Sequence, residues 1–348
     1  MSNGEITIFY DVFLILLCIS IFILAILLFI FCKKKPIKIE ENPPSAKLSA
    51  SFHSLMDIDS ATDGFKNSRI IGKGWLGTVY AAVMPSIRGR ELVAIKRIHP
   101  HLVLTNAGFG FSSTIKWLSL ADHPHIVQIL GYSEAPGERI IVMEFQGMLS
   151  LEFYLYQNPD GAALLDWGRR VKIAAGIARG IEYLHELMTP HIVHGRIKPS
   201  NILIDAKFRA KLCDYGLNFL APMERQGQGL MGYVDNEYWI DKKGASKESD
   251  LYGLGVVLLE LLSGRRNGED EEKGLSSIVE WALPLIKNMK FSELLDHRLV
   301  IPSDIEPLVR LGKVALACVG NSRKNRPSIA QVVPILNNLE KDIYSSSS

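Results

Sequence analysis

Cysteine is scarce in this 348-residue sequence: there are four, Cys18, Cys32, Cys213 and Cys318, with no paired spacing among them. That excludes a disulfide-stapled framework and a cysteine-rich zinc site, and it fits reduced thiols in a cytosolic domain. An excess of either charge is also missing. Lys and Arg total 39 against 37 Asp and Glu, a net charge of +2, which argues against a nucleic-acid binder and against an acidic tail. No segment repeats at a period of about 20–50 residues, so solenoids and propellers are excluded.

One stretch has no charge at all. Residues 12–32 are 21 consecutive uncharged residues, with Ser20 as the only hydroxyl. As a helix they would run about 30 Å, the thickness of a bilayer's hydrocarbon core. Glu5 and Asp11 precede the run without any basic side chain, whereas Lys33, Lys34, Lys35 and Lys38 follow it. A cleaved signal peptide has the opposite order. The positive-inside rule puts residues 1–11 outside and everything after Cys32 in the cytosol. The expectation is a single-pass anchor in the lipid bilayer, at the plasma membrane. Residues 1–11 are too few to fold as a ligand-binding ectodomain. Cys32 reads as an apolar residue closing the span rather than a palmitoylated one.

The rest divides by pattern. Residues 33–65 read as a juxtamembrane segment, rich in Lys, Pro, Ser and Glu at first and with a short helical pattern between Phe52 and Phe65. Residues 66–342 read as a globular domain and 343–348 as a polar tail. Within the domain, residues 66–145 hold β-branched runs separated by turns, at 78–83, 92–96 and 139–143. Residues 146–342 are helical in period. Ile173, Ile177, Ile181 and Leu184 fall on one face, and residues 251–262 are apolar nearly all round, as in a helix sunk in a large core. A small β-rich lobe before a larger helical lobe is an α+β, bilobal layout, with ligands expected in the cleft between the lobes.

Gly72, Lys73, Gly74, Gly77 and Val79 lie in a G-x-G-x-x-G-x-V turn between apolar runs. Such glycines let backbone N–H groups approach phosphate oxygens. Alone the pattern is weak, but β-branched residues follow it, so a strand–loop–strand reading wins over a dinucleotide-binding turn that opens a helix. Nineteen residues after Gly77 comes Lys96, in Val93-Ala94-Ile95-Lys96. Strand alternation puts Ala94 and Lys96 on one face and Val93 and Ile95 on the other. Under a glycine loop, the first face offers an apolar floor and an ammonium to a nucleotide. A lone strand lysine is more often a surface residue; its pairing with the glycine loop turns the balance.

At this point the sequence resembles the protein kinase family, and in particular plant receptor-like, Pelle-type kinases. The likeness covers residues 66–342. Ala61-Thr62-Asp63-Gly64-Phe65, His123-Pro124-His125-Ile126-Val127 and the run from Ser249 to Glu260 carry it, in the family's order. The resemblance implies that Lys96 contacts the α/β-phosphates of ATP, that Asn201 and Asp214 hold Mg²⁺, and that Lys198 sits near the γ-phosphate. It also implies a hinge at Glu144-Phe145-Gln146, with Met143 behind the adenine. Glu237, Asp250 and Arg326 are the expected fold-holding residues, with Glu237 paired to Arg326. Receptor-like kinases or other signalling proteins are the implied partners.

The family's H-R-D catalytic loop reads His194-Gly195-Arg196 here, so no catalytic base is intact. A base must accept a hydrogen bond from the substrate hydroxyl, and a guanidinium accepts none. The helix glutamate that pairs with the strand lysine aligns with Thr114. Leu230 stands where a threonine bridges to the catalytic carboxylate. Gly195 replaces the arginine that often receives an activation-loop phosphate, and residues 217–232 contain no Ser, Thr or Tyr. The first expectation is therefore a membrane-anchored, ATP-binding pseudokinase acting as scaffold or allosteric partner. Retention of Lys96, Lys198, Asn201 and Asp214 leaves open an active or weakly active Ser/Thr kinase, and an ATP-operated conformational switch is a third reading.

Overall fold

The computed structural model describes residues 16, 17, 19–22, 24, 49–86, 89–104, 110–145, 147–222, 225–241, 244–268, 277–320 and 322–345. The expected span at 12–32 lies mostly outside them. Its described members are helical and exposed, and among the described residues no helix is long and apolar enough to cross a membrane. Leu48–Ser348 form one of the chain's two compact units.

A six-stranded sheet forms the small lobe, in the order β1-β5-β6-β4-β3-β2. The strands are β1 (Ser51–Phe52), β2 (Ile70–Lys73), β3 (Gly77–Ser86), β4 (Gly89–Ile98), β5 (Ile129–Ala135) and β6 (Glu138–Glu144). All neighbours are antiparallel except β1, which runs parallel to β5. Alternation along β4 is as the sequence reads. Val93 and Ile95 join Ala82, Met84, Ile140 and Val142 on the outer face, while Ala94 faces the main core.

The folded lobe begins earlier than residue 66. Helix α1 (Leu55–Ala61) lays Ile58, fully buried, on the outer sheet face. Its N-cap Ser54 accepts a hydrogen bond from the Asp57 N–H, satisfying an otherwise orphan donor. Upstream, His53 N donates to Tyr132 O at 2.9 Å, and the Phe52 ring meets that of Tyr132 edge-on at 5.8 Å. Residues 51–61, read as part of a juxtamembrane segment, are thus sheet edge and sheet cover. A two-residue strand is too short to show alternation in sequence.

Between the lobes' main elements lies helix α2 (Phe111–Leu118), which buries Phe111, Ile115 and Leu118 against the sheet's inner face. The large lobe is built around α3 (Trp167–Glu182) and α5 (Lys247–Ser263), with α4 (Asn236–Asp241) ahead of α5. Ile173, Ile177, Ile181 and Leu184 are each fully buried, worth roughly 1.5–3 kcal/mol apiece relative to exposure. A Ser246–Ser249 capping box opens α5 and Gly264 closes it; nearly every residue from Ser249 to Ser263 is buried. Helices α6 (Glu306–Cys318) and α7 (Ile329–Ser345) pack on α5 and α3 respectively. A three-stranded sheet of β7 (Leu149–Ser150), β8 (Ile202–Ile204) and β9 (Ala210–Leu212) lies at the cleft floor and carries the loops bearing Asn201 and Asp214.

The expected Glu237–Arg326 pair does not form. Arg326 pairs instead with Asp235, in a contact whose side chains are 1% and 6% exposed. Glu237 accepts from the Arg323 backbone N–H at 3.1 Å. Asp235 stands two residues earlier in the chain and is buried where Glu237 is only half-buried, so it meets the buried guanidinium. Burial pushes its carboxyl up, but Arg323 and Arg326 outweigh that and hold it below the ordinary range.

Candidate functional site

Strands β2 and β3 bring the glycine turn over the cleft. Gly72 pairs with Val79 and Lys73 with Thr78, and the Gly74 N–H donates to Gly77 O at 2.9 Å to close the turn. The tip, however, points down. Leu76 is 2% exposed, and Trp75 Nε1 donates to the Gln228 side chain at 2.6 Å, across the cleft. On the sheet floor Ala94 stands opposite Met143 in the β4–β6 ladder, and Val79 packs on the main core. Of the expected hinge, Gln146 lies outside the described residues. Glu144 is engaged by the Lys211 ammonium at 2.5 Å and the Gln128 N–H at 3.0 Å.

Lys96 projects from β4 into the cleft and pairs directly with Asp214, the two side chains being 5% and 12% exposed. Thr114 sits half-buried on α2 and offers no carboxylate to compete. Asp214 adopts a positive φ of 63°, which Asp tolerates better than most side chains. Burial pushes its carboxyl up, but the Lys96 ammonium, and after it Arg196, bring it below the ordinary value.

The catalytic-loop backbone is held firmly. Asp250 accepts the His194 and Gly195 N–H groups, both at 2.7 Å, and lies 2.8 Å from the His185 ring. Asp250 therefore fills its expected fold-holding role. Gly195 has φ +78°, and a Cβ there would lie 1.7 Å from Asn218 Nδ2, so a side chain at this position would strain the backbone and displace Asn218. Asn201 Nδ2 donates to Arg196 O at 2.8 Å, and the Cys213 N–H donates back to Asn201 O at 3.0 Å. The structure thus brings Lys96, Arg196, Lys198, Asn201 and Asp214 to one cleft.

Arg196 at the base position is 3% exposed and points its donors at the activation segment. Nη1 donates to Gln226 O at 3.0 Å and Nη2 to Gln228 O at 2.9 Å, while the guanidinium lies 4.9 Å from the centre of the Trp75 ring. Lys198 Nζ donates to Gly229 O at 3.1 Å. Burial lowers the Lys198 ammonium's pKa, and neighbouring Arg196 adds to that. Burial likewise lowers that of Arg196, with Asp214 opposing.

Among the described residues, the side chain at the base position is Arg196, which offers a substrate hydroxyl no acceptor. Nor does the arrangement suit Mg²⁺. A hard cation wants uncommitted oxygen ligands; the cleft's carboxylate, Asp214, is already neutralised by Lys96 and is flanked by two further cations. Behind Met143, bounded by Ile129, Ile141, Asp214, Tyr215 and Leu217, is a small cavity of about 10 Å³. That is room for roughly one water molecule. Residues read as nucleotide and metal ligands are present, then, but Lys96 and Asp214 engage each other. Trp75, Gln226 and Gln228 were not singled out in the sequence; a tryptophan at the tip of a glycine turn was the available signal.

Residues 65–334 match the family described as protein kinase domain. The chain is 36% identical over 313 residues to the proline-rich receptor-like protein kinase PERK1 of Arabidopsis thaliana, covering 84% of this chain and 46% of that protein. It is 35% identical over 309 residues to the probable serine/threonine-protein kinase PBL6 of the same plant, covering 86% and 71%. It therefore spans less than half of PERK1. Among solved structures, the pseudokinase domain of BIR2, described as an immune regulator of the RLK/Pelle family, superposes with a TM-score of 0.69 at 30% identity. The match covers 83% of this chain and 86% of that one.

Proposed function

The chain belongs to the protein kinase family, in its plant receptor-like group, and from that premise we propose that it is a member that does not transfer phosphate. It acts as a scaffold or allosteric partner of other receptor-like kinases or signalling proteins, held at a membrane by residues 12–32 with its kinase fold in the cytosol. The observation that carries this reading is the engagement of Arg196. The side chain at the base position is a buried cation spending its donors on Gln226 and Gln228 carbonyls. A guanidinium takes no proton from an alcohol.

Three features support the non-catalytic part independently. Lys96 and Asp214 satisfy each other, Thr114 supplies no helix carboxylate, and residues 217–232 hold no hydroxyl for an activating phosphate. The anchor rests on the uncharged run and the lysines that follow it. ATP and Mg²⁺ are what the family generally uses. For this chain the three cations around one carboxylate favour phosphate oxygens over a divalent metal, so any nucleotide binds without Mg²⁺.

Isothermal titration of the full chain in detergent with ATP, with and without Mg²⁺, tests this reading. No heat, or binding indifferent to Mg²⁺, is expected; a tenfold gain in affinity on adding Mg²⁺ refutes it. The retained Lys96, Lys198, Asn201 and Asp214 favour a second reading, a slow Ser/Thr kinase. It requires the Lys96–Asp214 pair to open, and it predicts that Mg²⁺ gain.

A further inference from the structure

Phosphorylation cannot order residues 217–232, which lack Ser, Thr and Tyr, yet residues 225–232 follow a defined path through successive turns: Gln228 N donates to Arg225 O at 3.0 Å and Leu230 N to Gly227 O at 3.0 Å. Cations fix that path from below. Arg196 holds the carbonyls of Gln226 and Gln228, and Lys198 holds that of Gly229. From above, the indole of Trp75 lies against the Arg196 guanidinium and hydrogen-bonds the Gln228 side chain. Gly229 sits at the meeting point, at φ +70°. A Cβ there would stand 3.6 Å from Arg196 Nη2, 3.8 Å from Lys198 Nζ and 3.9 Å from Trp75 Cβ. Three parts of the fold far apart in sequence thus converge on one point: glycine turn, catalytic loop and activation segment.

We propose that Trp75, Arg196 and Gln228 form a built-in latch that closes the glycine turn onto the activation segment, so that a permanent cation does for this chain the ordering that a phosphate would otherwise do. Arg196 is the keystone. It is buried beneath the segment and gives one donor to each of two carbonyls while its flat face carries the indole. Trp75 couples the small lobe to the large one, and the Gln228 side chain is the catch, exposed and replaceable. The latch operates whether or not phosphate transfer occurs, so it stands apart from the catalytic question.

Hydrogen exchange of the full chain in detergent tests it, followed at residues 72–79 and 225–232. Gln228→Leu removes the indole's acceptor without touching buried residues; exchange should rise at least tenfold in both segments, although the substitution lies in only one. Gln228→Glu keeps an acceptor and should retain wild-type protection. Trp75→Ala should repeat the cross-cleft effect from the opposite side, with residues 225–232 loosened. If Gln228→Leu and Trp75→Ala each alter exchange only in their own segment, or if Gln228→Glu behaves like Gln228→Leu, the latch is refuted. Arg196→Ala carries a risk of misfolding, so the two less buried positions bear the test. Titration with ATP separates this result from the functional reading, since Mg²⁺-dependent binding would overturn that reading and leave the exchange pattern untouched.

Discussion

Lys96→Met is the most informative perturbation of the cleft. Methionine keeps much of the lysine's length and removes its charge, leaving Asp214 without its ammonium. The two side chains are 5% and 12% exposed, so water replaces little of what is lost. Breaking a buried pair from one side costs about 3–5 kcal/mol. Protonation of Asp214, whose carboxyl Lys96 now holds below its usual range, relieves part of that, so about 3 kcal/mol is the expected loss. For a unit of this size that is roughly 5 °C in melting temperature. The double variant Lys96→Met/Asp214→Leu removes both charges and should return to within about 1 kcal/mol of wild type, because an apolar pair can replace a buried ion pair at little cost. The resulting coupling, about 2 kcal/mol or more, is read from a double-mutant cycle by denaturant unfolding of the full chain in detergent. A single variant as stable as wild type, with no coupling, refutes the pairing: Lys96 would then be solvated and Asp214 free for a metal.

Other positions give independent tests. Burial lifts the Glu260 carboxyl to about 7, against a hydrogen bond from Tyr233 and one from the Asn267 N–H. Its folded value exceeds the ordinary ~4.3, so its contribution to stability is complete below about pH 4 and is lost as pH rises to about 7. Glu260→Gln should flatten the fall in melting temperature across that window, and an unchanged slope contradicts the assignment. At Gly195, with its φ of +78° and the Asn218 side chain where a Cβ would stand, Ala should cost ~1–3 kcal/mol, checked by thermal melting; wild-type stability would show the loop free to move. Arg196→Asp, which restores the family's catalytic residue, should yield no measurable turnover in a radiolabel assay, because the Lys96–Asp214 pair and Thr114 remain. Robust turnover would show that position 196 alone silences the site.

The sequence made much of this legible where chemistry is local. The period-two run Val93 to Lys96 told which face of β4 is apolar, and the all-round apolar stretch of α5 told that it is central. Ordered motifs group Lys96, Arg196, Lys198, Asn201 and Asp214 at one cleft. Their mutual engagement is legible only in part. With no carboxylate at Thr114, Lys96 is left to turn to Asp214, 118 residues on; Trp75 and Gln228 are 153 residues apart, and nothing in local spacing ties them. The pairing of Arg326 with Asp235 instead of Glu237 turns on two residues of chain and on depth of burial, which a motif does not record. The sheet's first strand was hidden by its length: Ser51–Phe52 is too short for a pattern and is fixed by its partner β5.

Transfer of ³²P from γ-labelled ATP, to the chain itself and to a generic protein acceptor with Mg²⁺ present, is the decisive measurement, with Asp214→Ala as control. A buried guanidinium at the base position and a self-satisfied Lys96–Asp214 pair predict incorporation no greater than in the control. Incorporation at ordinary kinase rates that vanishes in Asp214→Ala would contradict it.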